Sequence, residues 1–114
     1  LPATGLTITQ HAGTITTDTP SAGAVTCNFA TSDKHSVTLA ASTTFTFSNP
    51  TAGQIVVIMI IQGGSGSYTA TWPGTVDWGA AGAPTLSTAV NDIDIITMLY
   101  DGTKYRAGVF GLGY

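Results

Sequence analysis

Two stretches decide the reading of this chain: Gln54-Ile55-Val56-Val57-Ile58-Met59-Ile60-Ile61-Gln62 and Asp92-Ile93-Asp94-Ile95-Ile96-Thr97-Met98-Leu99-Tyr100. The first is apolar on both faces, and the second begins as an alternation and then becomes apolar on both. Neither approaches the roughly 20 residues a helix needs to cross a bilayer, and their β-branched content makes each a buried strand. A strand buried on both faces ordinarily lies between layers of helix, yet no stretch of the chain has a helical period. The second face therefore needs another cover. A domain of this size buries only about two-thirds of its unfolded surface, so a further copy of the chain is the expected cover. The alternative is a curled sheet whose own strands wrap that face. The candidate assembly residues are Ile55, Val57, Met59, Ile61, Ile96, Met98 and Tyr100.

Outward from these stretches the chain is a succession of short alternating segments. Leu6-Thr7-Ile8-Thr9, Val25-Thr26-Cys27-Asn28-Phe29, Ser36-Val37-Thr38-Leu39 and Thr44-Phe45-Thr46-Phe47 each place apolar side chains on one face and polar ones on the other, which is the pattern of strands with one wet face. Turn chemistry separates them at Thr19-Pro20-Ser21-Ala22-Gly23, Ser48-Asn49-Pro50-Thr51-Ala52-Gly53 and Gly63-Gly64-Ser65-Gly66-Ser67. Asp101-Gly102 between Tyr100 and Tyr105 predicts a hairpin, and the glycine-rich Gly108–Tyr114 segment predicts a last strand docked on a sheet. Regular short strands point to a sandwich or barrel. No internal sequence repeat is visible.

Only 8% of the 114 residues are charged, against 43% hydrophobic, so hydroxyls and amides must keep the surface wet. There is no Glu, and Lys34, Lys104 and Arg106 are the only basic residues in a chain of net charge -3. That balance supplies no basic patch for a phosphate backbone, so nucleic acid is not an expected partner. Membrane insertion is not expected either. Cys27 is alone and makes no internal disulfide.

Reactive constellations are scarce. His11, His35 and Cys27 form no HxH or CxxC pair, so no metal site and no cofactor is predicted. Asp92 and Asp94 face the same way on a strand and read as the solvated start of it; a cation site with Asp101 or Asp77 is the weaker reading. No GxSxG elbow surrounds any serine, no cleft marks a carboxylate pair, and no catalytic residues are assigned. Leu1-Pro2-Ala3-Thr4-Gly5 matches the sortase pattern LPxTG, but the apolar segment and basic tail of a sorting signal do not follow it, so the match is read as coincidence. Trp72, Trp78 and Tyr68 are the candidate glycan-stacking residues. The plainer reading of the two indoles is plugs closing the end of the domain.

One resemblance emerges from the order of these segments. Val37–Pro50 with its Ser48-Asn49-Pro50 end, Gly53-Gln54, the apolar strand ending in Gln62, and Gly66-Ser67-Tyr68-Thr69-Ala70-Thr71-Trp72-Pro73 are followed by Trp78, Gly82-Ala83-Pro84-Thr85-Leu86, Asn91-Asp92-Ile93-Asp94 and Leu99–Tyr105. The series resembles a β module of tailed-bacteriophage virion proteins, of the kind found near the C-termini of tail and head fibres. It covers residues 37–105, leaving 1–36 as N-terminal strands outside the pattern and 106–114 as a C-terminal strand. The resemblance implies an antiparallel β-sandwich, jelly-roll-like and packed as a homotrimer, occupying 1–114 as one domain. It implies a structural subunit on the exterior of the virion, a capsid decoration or cement protein or a fibre subunit, with the capsid shell or a fibre shaft as partner. The alternative it implies is a receptor-recognition module binding a host surface glycan.

Overall fold

The computed structural model describes residues 13–114, which are almost wholly strand and loop with a single 3-10 turn at Gly79–Ala81. Nine strands follow in order: β1 Ile15–Asp18, β2 Ala24–Asn28, β3 Lys34–Leu39, β4 Thr43–Ser48, β5 Ile55–Gln62, β6 Ala70–Thr71, β7 Val76–Asp77, β8 Ile93–Tyr100 and β9 Tyr105–Gly111. They form a six-stranded sheet in the order β1-β3-β5-β8-β9-β7 and a three-stranded sheet in the order β2-β4-β6.

The first six strands alternate between the two sheets, and each of β1 to β4 pairs with the strand two places on in sequence. All of these pairings are parallel: β1 with β3, β3 with β5, β2 with β4 and β4 with β6. The reason is geometric. A hairpin reverses the chain within one sheet, whereas crossing to the opposite sheet and back returns it to the first sheet in its original direction. This part of the molecule therefore winds as a flattened coil of the solenoid kind. Among the described strands, antiparallel pairing is confined to β5 with β8 and β8 with β9. The antiparallel jelly-roll expected from the sequence is thus corrected to a mixed, two-sheet architecture whose N-terminal part is parallel. Period-2 alternation cannot distinguish the two, because a strand with one wet face alternates identically in either pairing.

The arches between sheets explain why the coil closes. Ala22 and Gly23 both take positive φ values, 53° and 74°, before β2, and Ser21 and Ala24 bond reciprocally across them. At the next two arches on the opposite side, the Asn28 side-chain oxygen accepts from the Ala30 amide at 3.0 Å and from the Asn49 side chain at 3.1 Å. One asparagine thereby ties successive arches together. Gly66 turns at φ +74°, and a Cβ there would stand 2.4 Å from the Thr88 carbonyl oxygen, so this position accepts no side chain.

The core lies between the sheets. Val25, Cys27, Phe29 and Phe45 meet Val37, Leu39, Val56, Ile58, Ile60, Ile96 and Met98, with Leu86 and Tyr105 closing the cluster. In β5 the even-numbered residues Val56, Ile58, Ile60 and Gln62 are buried and the odd-numbered ones are not. Gln62 ends the strand by bonding both main-chain groups of Tyr68, donating to its carbonyl at 2.8 Å and accepting from its amide at 3.1 Å. Gln54 does the same work at the other end, donating to the Phe29 carbonyl at 2.9 Å and accepting from the Thr51 amide at 3.0 Å. The hairpin and docked tail expected at the C-terminus are present: Tyr100 pairs with Tyr105, and Tyr114 exchanges main-chain hydrogen bonds with Ile93. The Leu1–Gly5 motif, the Leu6–Thr9 alternation and His11 lie outside the described residues.

Fully buried Ile58 and 60%-exposed Ile55 sit in the same strand on opposite faces. Ile58→Ala is expected to lower the unfolding free energy by about 2–5 kcal/mol through loss of burial and the cavity left behind, and Ile55→Ala by less than about 1 kcal/mol. Denaturant titration of the dilute chain checks both, and equal losses would contradict this orientation of β5.

Candidate functional site

The outer face of the large sheet carries the most extensive chemistry of one kind. Cross-strand neighbours on β5 and β8 are Ile55 with Leu99, Val57 with Thr97, Met59 with Ile95 and Ile61 with Ile93, so eight adjoining positions present seven apolar side chains and one threonine. Beside them β3 places Lys34, Ser36 and Thr38 opposite Val57, Met59 and Ile61. On the other flank the β8–β9 ladder slips at Ile95/Ile96, where Ile95 pairs with Gly111 and Ile96 with Val109. Phe110 is the extra residue of this bulge and is 70% exposed. It borders an almost wholly apolar depression of about 410 Å³ with Lys34, Val57, Ile95 and Thr97. A bulge re-aims a side chain, and here it leaves a phenyl ring projecting over the sheet.

Four of the seven assembly candidates, Ile55, Val57, Met59 and Ile61, lie on this face. Three do not. Ile96 and Met98 are completely buried against the small sheet, and Tyr100 shares their side of β8, its ring 4.8 Å from that of Tyr105. Ile93, Ile95 and Leu99 occupy the outer positions instead. The error is one residue of phase, which moves a whole strand's side chains to the opposite face. Its source is Asp94: reading this residue as solvated sends Ile96 and Met98 outward with it. Asp94 is in fact buried, accepting from the Ser87 amide and hydroxyl at 2.7 Å each and from the Gly113 amide at 2.9 Å. It fastens the C-terminal tail to the loop before β8. The solvated-face reading of Asp94 is corrected accordingly.

Asp77 and Asp101 converge on a guanidinium. Arg106 Nε donates to Asp101 at 2.8 Å and its terminal nitrogen to Asp77 at 2.6 Å, pinning β7 and the hairpin turn to β9. Asp101 also accepts from the Thr103 and Lys104 amides. These turn amides, Lys104 first, together with Arg106, pull its carboxyl down to about 2. The Asp77 carboxyl is lowered chiefly by the Gly79 amide, with Arg106 contributing.

Of the glycan candidates, the structure joins two and separates the third. Trp72 stacks on Phe45 with ring centroids 4.7 Å apart, and Trp78 meets Trp72 edge-on at 5.4 Å. Both indoles are half-buried and packed against the core. Trp78 also borders a shallow depression of about 400 Å³ with Asp77, Gly79, Arg106 and Gly108. Tyr68 lines a different depression, with Pro84, Thr85 and Leu86.

The winding of the chain also assembles a group that sequence spacing did not reveal. Asp18, Cys27 and His35 come from three consecutive strands, and their donor atoms all lie within 4.8 Å of one another. Burial first, and Asp18 beside it, push the Cys27 thiol well above its ordinary range. This is the opposite of what a thiolate nucleophile requires.

No family model matches the chain, and neither the curated proteins nor the solved structures contain a significant match to it.

The Asp101 carboxyl gives a pH test. A carboxyl depressed in the folded state stabilises above its unfolded value of about 3.9, and that stabilisation disappears as pH falls through about 2. Carbon-13 carboxyl shifts should show Asp101 titrating near that lower value. Arg106→Ala should raise the midpoint only partway to the unfolded value, because the turn amides remain. A full return to it would assign the shift to the ion pair instead.

Proposed function

We propose that this chain is a self-assembling structural subunit of a bacteriophage particle, a capsid decoration or cement protein or a fibre subunit on the virion exterior, built as a homotrimer. The carrying observation is the outer face of β5 and β8, where seven apolar side chains adjoin and Phe110 projects beside them. Apolar patches of this kind mark association surfaces, and a second copy of the chain is the partner that symmetric assembly requires least to explain. The ordered resemblance from Val37 to Tyr105 supports the phage assignment, with the capsid shell or a fibre shaft as the neighbouring component. The scarcity of charge and of reactive groups supports a structural duty and not a catalytic one. The basic residues do not favour nucleic acid as a partner, since Arg106 is held between two carboxylates.

Sedimentation of the purified chain should give a trimer at micromolar concentration. Val57→Asp or Ile95→Asp, each placing a charge in the apolar face, should shift it to monomer with circular dichroism unchanged. A wild-type chain that is monomeric at that concentration would overturn the reading.

The depression beside Trp78 favours a second reading, recognition of a host glycan at a fibre tip. An indole next to a carboxylate and a guanidinium offers both a stacking surface and hydrogen bonds to sugar hydroxyls. Glycan-array binding that Trp78→Ala abolishes in a folded chain would establish it; an array without signal for the wild type would remove it.

A further inference from the structure

Asp18 closes β1, Cys27 lies in β2 and His35 in β3, so two strands of the large sheet and one of the small sheet aim a carboxylate, a thiol and an imidazole at one point. Cys27 and His35 are buried, and Asp18 is the member that solvent reaches. The His35 ring is oriented from behind: Nε2 lies 2.9 Å from the Ser32 carbonyl oxygen, which can only accept, so Nε2 carries a proton. Nδ1 is left facing Asp18 Oδ2 at 2.5 Å. A histidine whose far nitrogen donates to a backbone carbonyl while the near one faces a thiol and a carboxylate has the arrangement of a metal ligand with its supporting shell. Phe29 stands edge-on to the ring at 5.4 Å and walls the point off on one side.

The charges of the three donors suit a doubly charged ion: a thiolate and a carboxylate bring two negative charges and a neutral imidazole none, so a divalent cation leaves the buried group without the cost of an uncompensated charge in the interior.

We propose that Asp18, Cys27 and His35 form a binding site for a divalent transition-metal ion of the zinc class, the Cys27 thiol giving up its proton to solvent as the ion binds. One sulfur, one nitrogen and one oxygen suit a borderline-soft ion and disfavour magnesium or calcium. Metal–ligand bonds of about 2.0–2.3 Å hold their donor atoms roughly 3.3–3.7 Å apart, so Asp18 must draw back from His35 by about 1 Å. It can do so because it is the last residue of β1, which among the described strands pairs only with β3. Water on the exposed side of Asp18 completes the tetrahedron. The bound ion clamps β1, β2 and β3 and so joins the two sheets at this end.

Titration of the full chain with Co²⁺, followed by competition with Zn²⁺, tests the site. Uptake of a single Co²⁺ per chain with a near-ultraviolet thiolate-to-cobalt band and accompanying proton release is expected. Cys27→Ala and His35→Gln should lose the band while circular dichroism remains that of the wild type. Uptake equal in the wild type and both variants overturns the proposal. Should a variant fail to fold, the wild type decides alone: no thiolate band and no proton release also overturn it.

Discussion

The ladder of β5 is hydrogen-bonded along both edges, parallel to β3 on one side and antiparallel to β8 on the other, and the rest of the molecule is organised from it. Here the parallel coil and the C-terminal hairpin become one sheet. Its inner residues Val56, Ile58 and Ile60 supply the middle of the core, and the two glutamines at its ends fasten the loops that lead in and out. An amide satisfied at both its oxygen and its nitrogen fixes position in a way apolar contact does not, because a slip by one residue would leave both groups unpaired. Gln54 and Gln62 thereby determine the register of a strand whose side chains alone would tolerate either phase.

The same logic explains what could and could not be read from the residues. The strands themselves were legible: Val25–Phe29, Val37–Leu39 and Thr44–Phe47 alternate in sequence and alternate in burial. The Asp101-Gly102 hairpin was legible because turn chemistry is local. Pairing direction was not, since it depends on whether the chain crosses between sheets at Pro20–Gly23 and Asn49–Gly53, and the same turn residues serve both outcomes. The phase of β8 failed at Asp94, where charge, normally the surest mark of solvent, is outweighed by three donors that converge on one carboxylate. The Asp18–Cys27–His35 group was invisible for a related reason. Its members are neighbours only because successive strands lie in opposite sheets, and no spacing rule for ligands within one element anticipates that.

The outer face of β5 and β8 illustrates how the sequence uses a strand twice. The inner side chains hold the sheets together; the outer ones, at the same spacing and of the same chemistry, have no layer of this chain over them among the described residues. Phe110 and the bulge that turns it outward belong to the same surface although they come from β9, whose glycine-rich sequence otherwise gives little hint of contact. Hydroxyl-bearing Ser36 and Thr38 border the face on β3, so the apolar area ends abruptly on that side.

The alternation of the first six strands between sheets has a kinetic consequence. In the described residues only β8 and β9 pair with their immediate neighbour in sequence; every other ladder joins strands separated by an intervening one in the opposite sheet or by a long loop. Each parallel pairing among β1 to β6 must therefore await a crossing of the core, and the entropy of closing that loop is lost before any ladder bond is gained. The hairpin is the one piece able to form on local contacts. A chain so wound collapses around its C-terminal end and acquires its coil last, folding more slowly than its modest length alone would suggest.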